Sequence, residues 1–246
     1  MKRIAIFGSG GMGREAACTL QRINRAANKD VWQLVGFYDD GLPQGTSNEM
    51  GKVLGGAAQL NAVTEPLAVV LAFGSPQVMQ RVRLSITNPN VYFPNIIDPT
   101  VELWHAPSFT MGEGNLFMPH CVVSCNVRIG NFNLFNGDAN IRHDVQVGSF
   151  NAFMPGVRLS GGVKVGDGNF FGLNSAVVQY KTIGNDTQIG AGAVVMDDTA
   201  DHSLYVGVPA SVKRDFKGEK KTLGNWGEVQ LERALQLAGL IENVHY

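Results

Sequence analysis

The sequence is poor in cysteine, in net charge and in long apolar runs, and each shortage excludes a class of protein. The 246 residues include three cysteines, Cys18, Cys121 and Cys125. The last two form a CxxxC without a second pair, which is a poor zinc pattern, so we expect reduced structural thiols and no metal. A net charge of -1 and a pI of about 6.5 leave no basic footprint for nucleic acid.

The apolar residues are spread along the chain instead of forming long runs. No run approaches the ~20 residues of a membrane span. The N-terminal stretch "MKRIAIFGSGGMG" lacks the long apolar region and the cleavage site of a signal peptide. We therefore expect a cytoplasmic protein without a membrane span, long enough for two small domains.

What the sequence does have is a repeat. Dipeptides of Ile or Val followed by Gly begin at positions 129, 147, 165 and 183, so each lies 18 residues after the one before. A second and a third frame keep the same interval. Their members are Phe117, Phe135, Phe153, Phe171 and Ile189, and then Val123, Ile141, Leu159, Val177 and Val195. The three frames are offset from one another by six residues, so the unit is a hexad and three hexads make one turn of 18 residues.

A period of one hexad fits a short strand plus a tight turn, and it is too short for helical pairs or propeller blades. Three such edges per turn predict a triangular prism of parallel strands, in which each turn covers the apolar face of the one before. A β-sandwich with chance spacing is the alternative, and three coherent frames argue against it. We place this prism at residues 99–214.

Residues 1–98 follow a different pattern. The stretches "RIAIFGSGGMGREAACTLQRI", "WQLVGFYDD" and "LAVVLAFGSPQVMQRVRLSI" alternate strands with helices, which predicts a small parallel α/β sheet of the Rossmann-like kind. The glycines of residues 8–13 would let a phosphate approach the helix N-terminus. Asp39 and Asp40 follow the second strand, where a ribose or base edge would lie. The domain is short, so we favour one bound nucleotide. A glycine turn that only packs strand against helix is the alternative.

The motifs together resemble a known family. In order they are "GSGGMG", "FYDD", "AFGSPQV", "NIRHDVQVG", "GDGNFFGLNSAVV", "IGAGAVV" and "YVGVPA". This series is similar to bacterial hexapeptide-repeat sugar acetyltransferases of the UDP-4-amino-sugar N-acetyltransferase and sialic acid O-acetyltransferase type. The resemblance covers residues 3–214 and implies a left-handed parallel β-helix, a hand that the spacing does not provide. It also implies that the sugar nucleotide is bound by the loop that holds Gly10, Gly11 and Met12, by Gly74, and by Asp39 or Asp40.

A His-Asp pair interrupts the repeat in "NIRHDVQVGSF". In the family a His followed by an acid lies one coil before "GLNS", and His143 and Asp144 hold that place. The resemblance implies that His143 is the general base and that Asp144 modulates it, which suits an imidazole with an ordinary pKa near ~6.5. The positions one coil away are Cys125 and Gly161, so no histidine stack explains His143. The alternative is a turn histidine that only hydrogen-bonds its neighbours.

The resemblance implies acetyl-CoA as the donor, with its pantetheine arm in a groove between adjacent prisms. By position, Leu173 and Ala191 would line this arm, and a donor contact at Ala152 would have to come from the backbone or from a neighbour such as Asn151. Lys213 and Arg214 could meet the CoA phosphates, or they are a solvated basic pair.

Three positions depart from the family pattern. Ala152 replaces a frequent second His near the thioester, Asp144 replaces a frequent Glu, and Met12 replaces a frequent His in the glycine loop. These changes leave the base in place and alter the contacts around it.

The family forms trimers with the active site between subunits, so we expect a homotrimer. Residues 215–246 are predicted to add a C-terminal helix, because apolar residues recur there at helical spacing. They are Trp226, Val229, Leu231, Leu235, Leu237, Leu240 and Ile241.

The sequence thus predicts an acetyl-CoA-dependent acetyltransferase of glycan biosynthesis that acts on a nucleotide-linked amino sugar. Two alternatives stay open. One is O-acetylation of a free sugar or serine-like acceptor, and the other is a non-catalytic trimeric scaffold that binds a nucleotide sugar.

Overall fold

The computed structural model describes residues 1–216. The predicted C-terminal helix therefore lies outside the described residues, apart from positions 215 and 216. No helix within the described part is long and apolar enough to cross a membrane.

The N-terminal domain is a parallel α/β sheet, as the sequence predicted. Its strands are β1 (Lys2–Phe7), β2 (Trp32–Tyr38), β3 (Ser47–Asn48), β4 (Gly51–Lys52), β5 (Leu67–Leu71) and β6 (Val91–Tyr92). Its helices are α1 (Gly11–Ala26), α2 (Ala57–Asn61) and α3 (Pro76–Ser85). The sheet order is β2-β1-β5-β6 with all pairs parallel, and β3 and β4 form a separate antiparallel hairpin.

Local sequence explains where the helices begin. The central strand β5 is fully buried and β1 is buried from Ile4 to Phe7, so both can be apolar on both faces there. Helix α3 starts after Ser75, whose hydroxyl accepts a hydrogen bond from the Val78 N–H at 3.4 Å, and Pro76 occupies its first turn. Helix α1 starts after Gly10, which offers no side-chain cap. The first N–H groups of α1 thus lack a capping side chain.

The rest of the described chain is a β-helix made almost entirely of two-residue strands. In chain order they are β7 (Ile96–Ile97), β8 (Glu102–Leu103), β9 (Thr110–Met111), β10 (Leu116–Phe117), β11 (Val122–Val123), β12 (Arg128–Ile129), β13 (Leu134–Phe135), β14 (Asn140–Ile141), β15 (Gln146–Val147), β16 (Ala152–Phe153), β17 (Arg158–Leu159), β18 (Lys164–Val165), β19 (Phe170–Phe171), β20 (Ala176–Val177), β21 (Thr182–Ile183), β22 (Gln188–Ile189), β23 (Val194–Val195), β24 (Ser203–Val206) and β25 (Ser211–Asp215). A short 3-10 helix, Ala106–Ser108, lies between β8 and β9.

These strands form three parallel faces. The first face holds β7, β10, β13, β16, β19 and β22 and ends with β24 and β25, which pair antiparallel. The second face holds β8, β11, β14, β17, β20 and β23, and the third holds β9, β12, β15, β18 and β21. We call the turns from the first to the second face the first corner, those from the second to the third the second corner, and those from the third back to the first the third corner.

The interior confirms the predicted period. The rings of Phe117, Phe135, Phe153 and Phe171 stack in sequence, with centroids 4.4, 4.7 and 4.6 Å apart. Beside them runs a buried ladder in which each asparagine amide donates to the amide oxygen one coil below. Its members are Asn115, Asn133 and Asn151, joined at 3.0 Å. Identical neighbours satisfy each other, so the polar ladder can be buried.

The first coil breaks the period. Thr110 pairs with Arg128 at the regular interval, whereas the partner of Ile96 is Leu116, two positions further along the chain than that interval would place it. The extra residues lie between β8 and β9, where the 3-10 helix is inserted. The first strand of the β-helix therefore begins at Ile96, before the predicted start at residue 99.

The N-terminal domain packs on the first face. Leu116 and Leu134, which alternate with the inward phenylalanines, join the apolar cluster of the N-terminal sheet. At the first corner Arg22 of α1 bonds the buried carboxylate of Asp98 at 2.5 and 3.0 Å. At the third corner Arg83 of α3 lies over the Phe132 ring. Since the domain contacts both edges of the first face, the second corner is the one that points away from it.

Candidate active site

The predicted base and its carboxylate lie together in the second corner. His143 Nδ1 is 2.8 Å from Asp144 Oδ2, and about half of each side chain is exposed. Asp144 adopts a left-handed backbone conformation, with φ of 61°, which Asp tolerates better than most residues. This turn directs both side chains outward from the coil.

The other carboxylate oxygen of Asp144 is also bonded. Asn126 Nδ2 donates to Asp144 Oδ1 at 3.1 Å. Hydrogen bonds from His143 and then from Asn126 hold the pKa of the Asp144 carboxyl below its ordinary value. An ionised carboxylate can only accept, so the hydrogen of the neutral imidazole belongs on Nδ1, and Nε2 keeps its lone pair. The geometry therefore presents Nε2 as a base.

A glycine pair one coil above makes room for the ring. A Cβ added to Gly161 would overlap the His143 Cε1 and Nε2 atoms. A Cβ on Gly162 would overlap the ring of Tyr180, which comes from the next coil and is 72% exposed. The His143 imidazole thus lies against Gly161 from the coil below, and the Tyr180 phenol lies against Gly162 from the coil above. In the sequence, Gly161 is visible only as a break in the stack, and Tyr180 does not stand out.

The glycine loop separates into packing glycines and open glycines. Gly8 has φ of 101°, and a Cβ on Gly13 would overlap the Gly8 carbonyl, so both are needed for the close approach of α1 to β1. A Cβ on Gly10 or Gly11 would meet nothing within 4 Å. Open space therefore lies beside the uncapped start of α1, as a phosphate site requires.

The two predicted acids already have partners within the domain. Asp39 Oδ2 accepts from the Ser9 N–H at 2.9 Å and lies 3.0 Å from its hydroxyl. Asp40 Oδ1 accepts from the Ala57 N–H at 2.8 Å, at the start of α2. Asp39 thus shapes the glycine loop itself. A role for either acid in nucleotide binding stays a prediction.

The predicted donor residues lie in the first corner or near the end of the β-helix. Leu173 is 50% exposed, and Ala191 is exposed beside Gly192, where a Cβ would meet nothing within 4 Å. Lys213 and Arg214 are exposed on β25, and the Arg214 guanidinium lies over Phe216.

Ala152 is the exception among the donor residues. It is fully buried in β16 on the face that the N-terminal domain approaches. Its side chain has no surface for the pantetheine arm, and a donor contact through the backbone at Ala152 stays a prediction.

One chain does not bring all the predicted residues together. Gly74 faces Met154 of the first corner, where a Cβ would lie 3.8 Å from the methionine methyl group. The glycine loop belongs to the same domain, and Leu173 is in the same corner. His143 and Asp144 lie in the second corner, away from that domain. Within residues 1–216, no group of three His, Cys, Asp or Glu could hold a metal ion.

Known proteins share both parts of this architecture. The family model of the PglD N-terminal domain matches residues 3–85. PerB from Caulobacter crescentus, a perosamine N-acetyltransferase solved with CoA and GDP-perosamine, superposes with a TM-score of 0.76 at 28% identity, over 87% of this chain and 98% of that one. The acetyltransferase domain of PglB from Neisseria gonorrhoeae, solved with acetyl coenzyme A, gives 0.75 at 25% identity, over 86% and 98%. The described chain therefore has the two-part architecture of hexapeptide-repeat sugar acetyltransferases.

Two other likenesses of this chain are short. A DNA recombination protein RmuC homolog from Haemophilus influenzae is 97% identical over 31 residues, which are 13% of this chain and 7% of that protein. Its counterpart from Pasteurella multocida is 65% identical over 48 residues, or 18% and 9%. The chain thus spans less than a tenth of the length of these curated relatives, and we assign it none of their activity.

Proposed function

We propose that this chain transfers the acetyl group of acetyl-CoA to the amine of a nucleotide-linked amino sugar, with His143 as the general base. The observation that carries the proposal is the bond between His143 Nδ1 and Asp144 Oδ2, which leaves Nε2 free to accept a proton. The solved relatives support the donor and the acceptor class, since PerB holds CoA and GDP-perosamine and the PglB domain holds acetyl coenzyme A.

The reaction is a direct transfer. The amine nitrogen attacks the thioester carbonyl carbon, and Nε2 of His143 takes the proton that the nitrogen loses. The carbon–sulfur bond then breaks, and the leaving thiolate receives a proton to become the CoA thiol. Asp144 stabilises the imidazolium that exists between the two proton transfers. The products are an N-acetylated sugar and free CoA.

The N-terminal domain supplies the acceptor site in this proposal. The uncapped start of α1 and the open space at Gly10 and Gly11 suit the phosphates of a sugar nucleotide. Met12 is partly buried against the domain core, so it forms the floor of this site and not a polar contact.

The active site takes one part from each of two chains in our proposal. The first corner carries the donor groove and faces the acceptor domain, whereas the base lies in the second corner. A neighbouring prism whose second corner meets this first corner would complete the site and hold the thioester near the imidazole. A closed ring of such contacts is a homotrimer with three equal sites.

The activity test is a screen of amino-sugar nucleotides for CoA release in the presence of acetyl-CoA. We expect thiol release with at least one GDP- or UDP-linked amino sugar and none with the free sugar. Turnover of a free sugar or of serine instead would favour the O-acetylation alternative. No thiol release with any acceptor would leave the scaffold alternative in place.

The shared site has its own test. Subunits with His143→Ala are mixed with subunits with Ala191→Trp, which fills the donor groove at an exposed position. Each variant alone should be inactive, and exchanged mixtures should regain part of the activity because some interfaces carry two intact halves. A monomer by light scattering, or no recovery after confirmed exchange, would contradict the shared site.

A further inference from the structure

Asn126 lies one coil below Asp144 in the second corner, in the same left-handed conformation, with φ of 57°. Its backbone N–H donates to Ser108 Oγ at 2.8 Å, and that hydroxyl is 2.8 Å from His105 Nδ1. Its side-chain amide donates to Asp144 Oδ1 at 3.1 Å. The backbone and the side chain of Asn126 therefore make separate hydrogen bonds, and the side-chain bond leads through Asp144 to His143.

We propose that Asn126 is a positioning residue of the acetyl transfer, which holds the Asp144 carboxylate so that its other oxygen fixes the tautomer of His143. The proposal rests on the proposed role of His143 as base. Asn126 touches neither reacting group and acts through Asp144. A carboxylate held at both oxygens cannot rotate about its terminal bond, so Oδ2 stays opposite Nδ1.

The third corner shows what a purely structural side chain does in this fold. There the Asn131 amide oxygen accepts the Glu113 N–H at 2.9 Å, and Asp167 and Asn185 likewise accept backbone N–H groups one coil below. Those side chains tie the coils together through the main chain. Asn126 instead bonds a side chain, while the Asp144 N–H is already satisfied by the Cys125 carbonyl at 3.0 Å. The amide of Asn126 is therefore not needed to join the coils.

The groups around the His143 ring come from its own turn and from the coils below and above it. Asp144 is on its own turn, Cys125 is on the coil below, and Tyr180 reaches the neighbouring glycine from above. The side chain of Arg142 lies over the Trp104 ring, 5.1 Å from its centroid. Asp144 is thus the charged group that is hydrogen-bonded to the imidazole. A change in how its carboxylate is held should therefore change the tautomer of the ring.

The test uses the full chain with two variants at Asn126 and one matched control. Asn126→Gly removes the amide and keeps the left-handed conformation, which Gly adopts freely. Asn126→Asp keeps the shape, removes the donor and adds a negative charge. Asn28→Gly is the control, because Asn28 is an exposed asparagine with φ of 49° just after α1. Nitrogen NMR of the His143 imidazole gives the tautomer and the titration midpoint without any substrate.

For Asn126→Gly we expect a smaller fraction of the Nδ1–H tautomer and a fall in kcat of about two- to tenfold, the range for loss of one hydrogen bond. The KM for acetyl-CoA should not change. For Asn126→Asp we expect the titration midpoint of the ring, and the acidic limb of the pH–rate profile, to move up by roughly half a pH unit, since a second carboxylate favours the imidazolium. Asn28→Gly should match the wild type in every readout.

An unchanged tautomer and midpoint in both Asn126 variants, in chains that melt like the wild type, would overturn the proposal. Equal loss of folding stability and activity would also overturn it, because that pattern marks a structural residue. If the wild type shows no acetyl transfer but the NMR signals of His143 still respond to Asn126, the proposed function fails and the coupling of Asn126 to His143 stands.

Discussion

The N-terminal domain and the β-helix place special residues in different ways. In the β-helix every position has an equivalent in the next coil, so His143 stands out against Cys125 and Gly161. In the N-terminal domain no period exists, and the glycines of residues 8–13 look alike in the sequence. The structure divides them into Gly13, which packs against Gly8, and Gly10 and Gly11, which face open space. A repeat makes exceptions visible, and an irregular loop hides them.

The largest effect should come from His143, the residue that interrupts the repeat. His143→Ala should lower kcat by roughly 10²–10⁴-fold, as expected for the loss of a general base, with the fold and assembly intact. The measurement is CoA release at saturating substrate. The matched control is His120→Asn at another left-handed turn position, with φ of 63°, and it should keep its activity. Turnover near that of the wild type in His143→Ala would refute the base.

The next effect should come from the glycine above the ring. Gly161→Ala places a methyl group on the His143 imidazole, so the ring must turn away. We expect a fall in kcat of about 10–100-fold, because small displacements of a catalytic group are costly. Gly137→Ala is the control, since its Cβ would lie at an ordinary 3.5 Å from the Pro119 carbonyl oxygen. Equal activity of the two variants would show that the ring position does not matter.

A pair of glycine variants sharpens the contrast within the loop. Gly13→Ala drives a methyl group into the Gly8 carbonyl and should destabilise the fold by about 1–3 kcal/mol, as overpacking does. Gly11→Val has room and should raise the KM for the acceptor while leaving acetyl-CoA binding and the melting temperature alone. Thermal melts and steady-state kinetics separate the two results. Loss of both substrates in Gly11→Val would mean that this glycine serves the fold.

The smallest effect concerns the joint between the two regions. Burial raises the pKa of the Asp98 carboxyl, but hydrogen bonds from Arg22 and Thr100 outweigh it, and the net pKa is below the ordinary value. A carboxyl with a lowered pKa adds stability above its unfolded pKa, and that stability is lost as the pH falls through the folded pKa. We expect this contribution at neutral pH and its loss in acid, below about pH 4.

Removing the partner tests this joint. Arg22→Met leaves the buried Asp98 carboxylate without its guanidinium, which should lower the free energy of unfolding by about 1–3 kcal/mol at pH 7. The free energy of unfolding of this variant should also fall less in acid than that of the wild type. Denaturant melts at pH 7 and in acid measure both. Arg3→Met is the control, because the Arg3–Glu65 pair is exposed on both sides, and it should change stability by less than ~1 kcal/mol. A loss in Arg22→Met no larger than in the control would show that the joint is not held by this ion pair.

The sequence predicted the coils better than it predicted where they begin. The constant interval of the repeat located the stacked phenylalanines because each ring contacts its own equivalent. The insertion that holds the 3-10 helix hid the first coil, since it shifts the frame by two positions without changing the fold. Asn126 was missed although it lies one coil before Asp144. The period alone would have paired them, but an asparagine in a turn is too common to stand out.

By itself, the sequence determined the α/β domain, the three-faced coil and the His-Asp pair, because each depends on local spacing or on contacts between equivalent positions. The tertiary structure decided which corner holds each group. The N-terminal domain covers the first face, so its glycine loop and the residues around Leu173 face one way while His143 faces another. No local pattern encodes that separation, because it arises from the packing of Leu116 and Leu134 against a sheet formed far away in the chain.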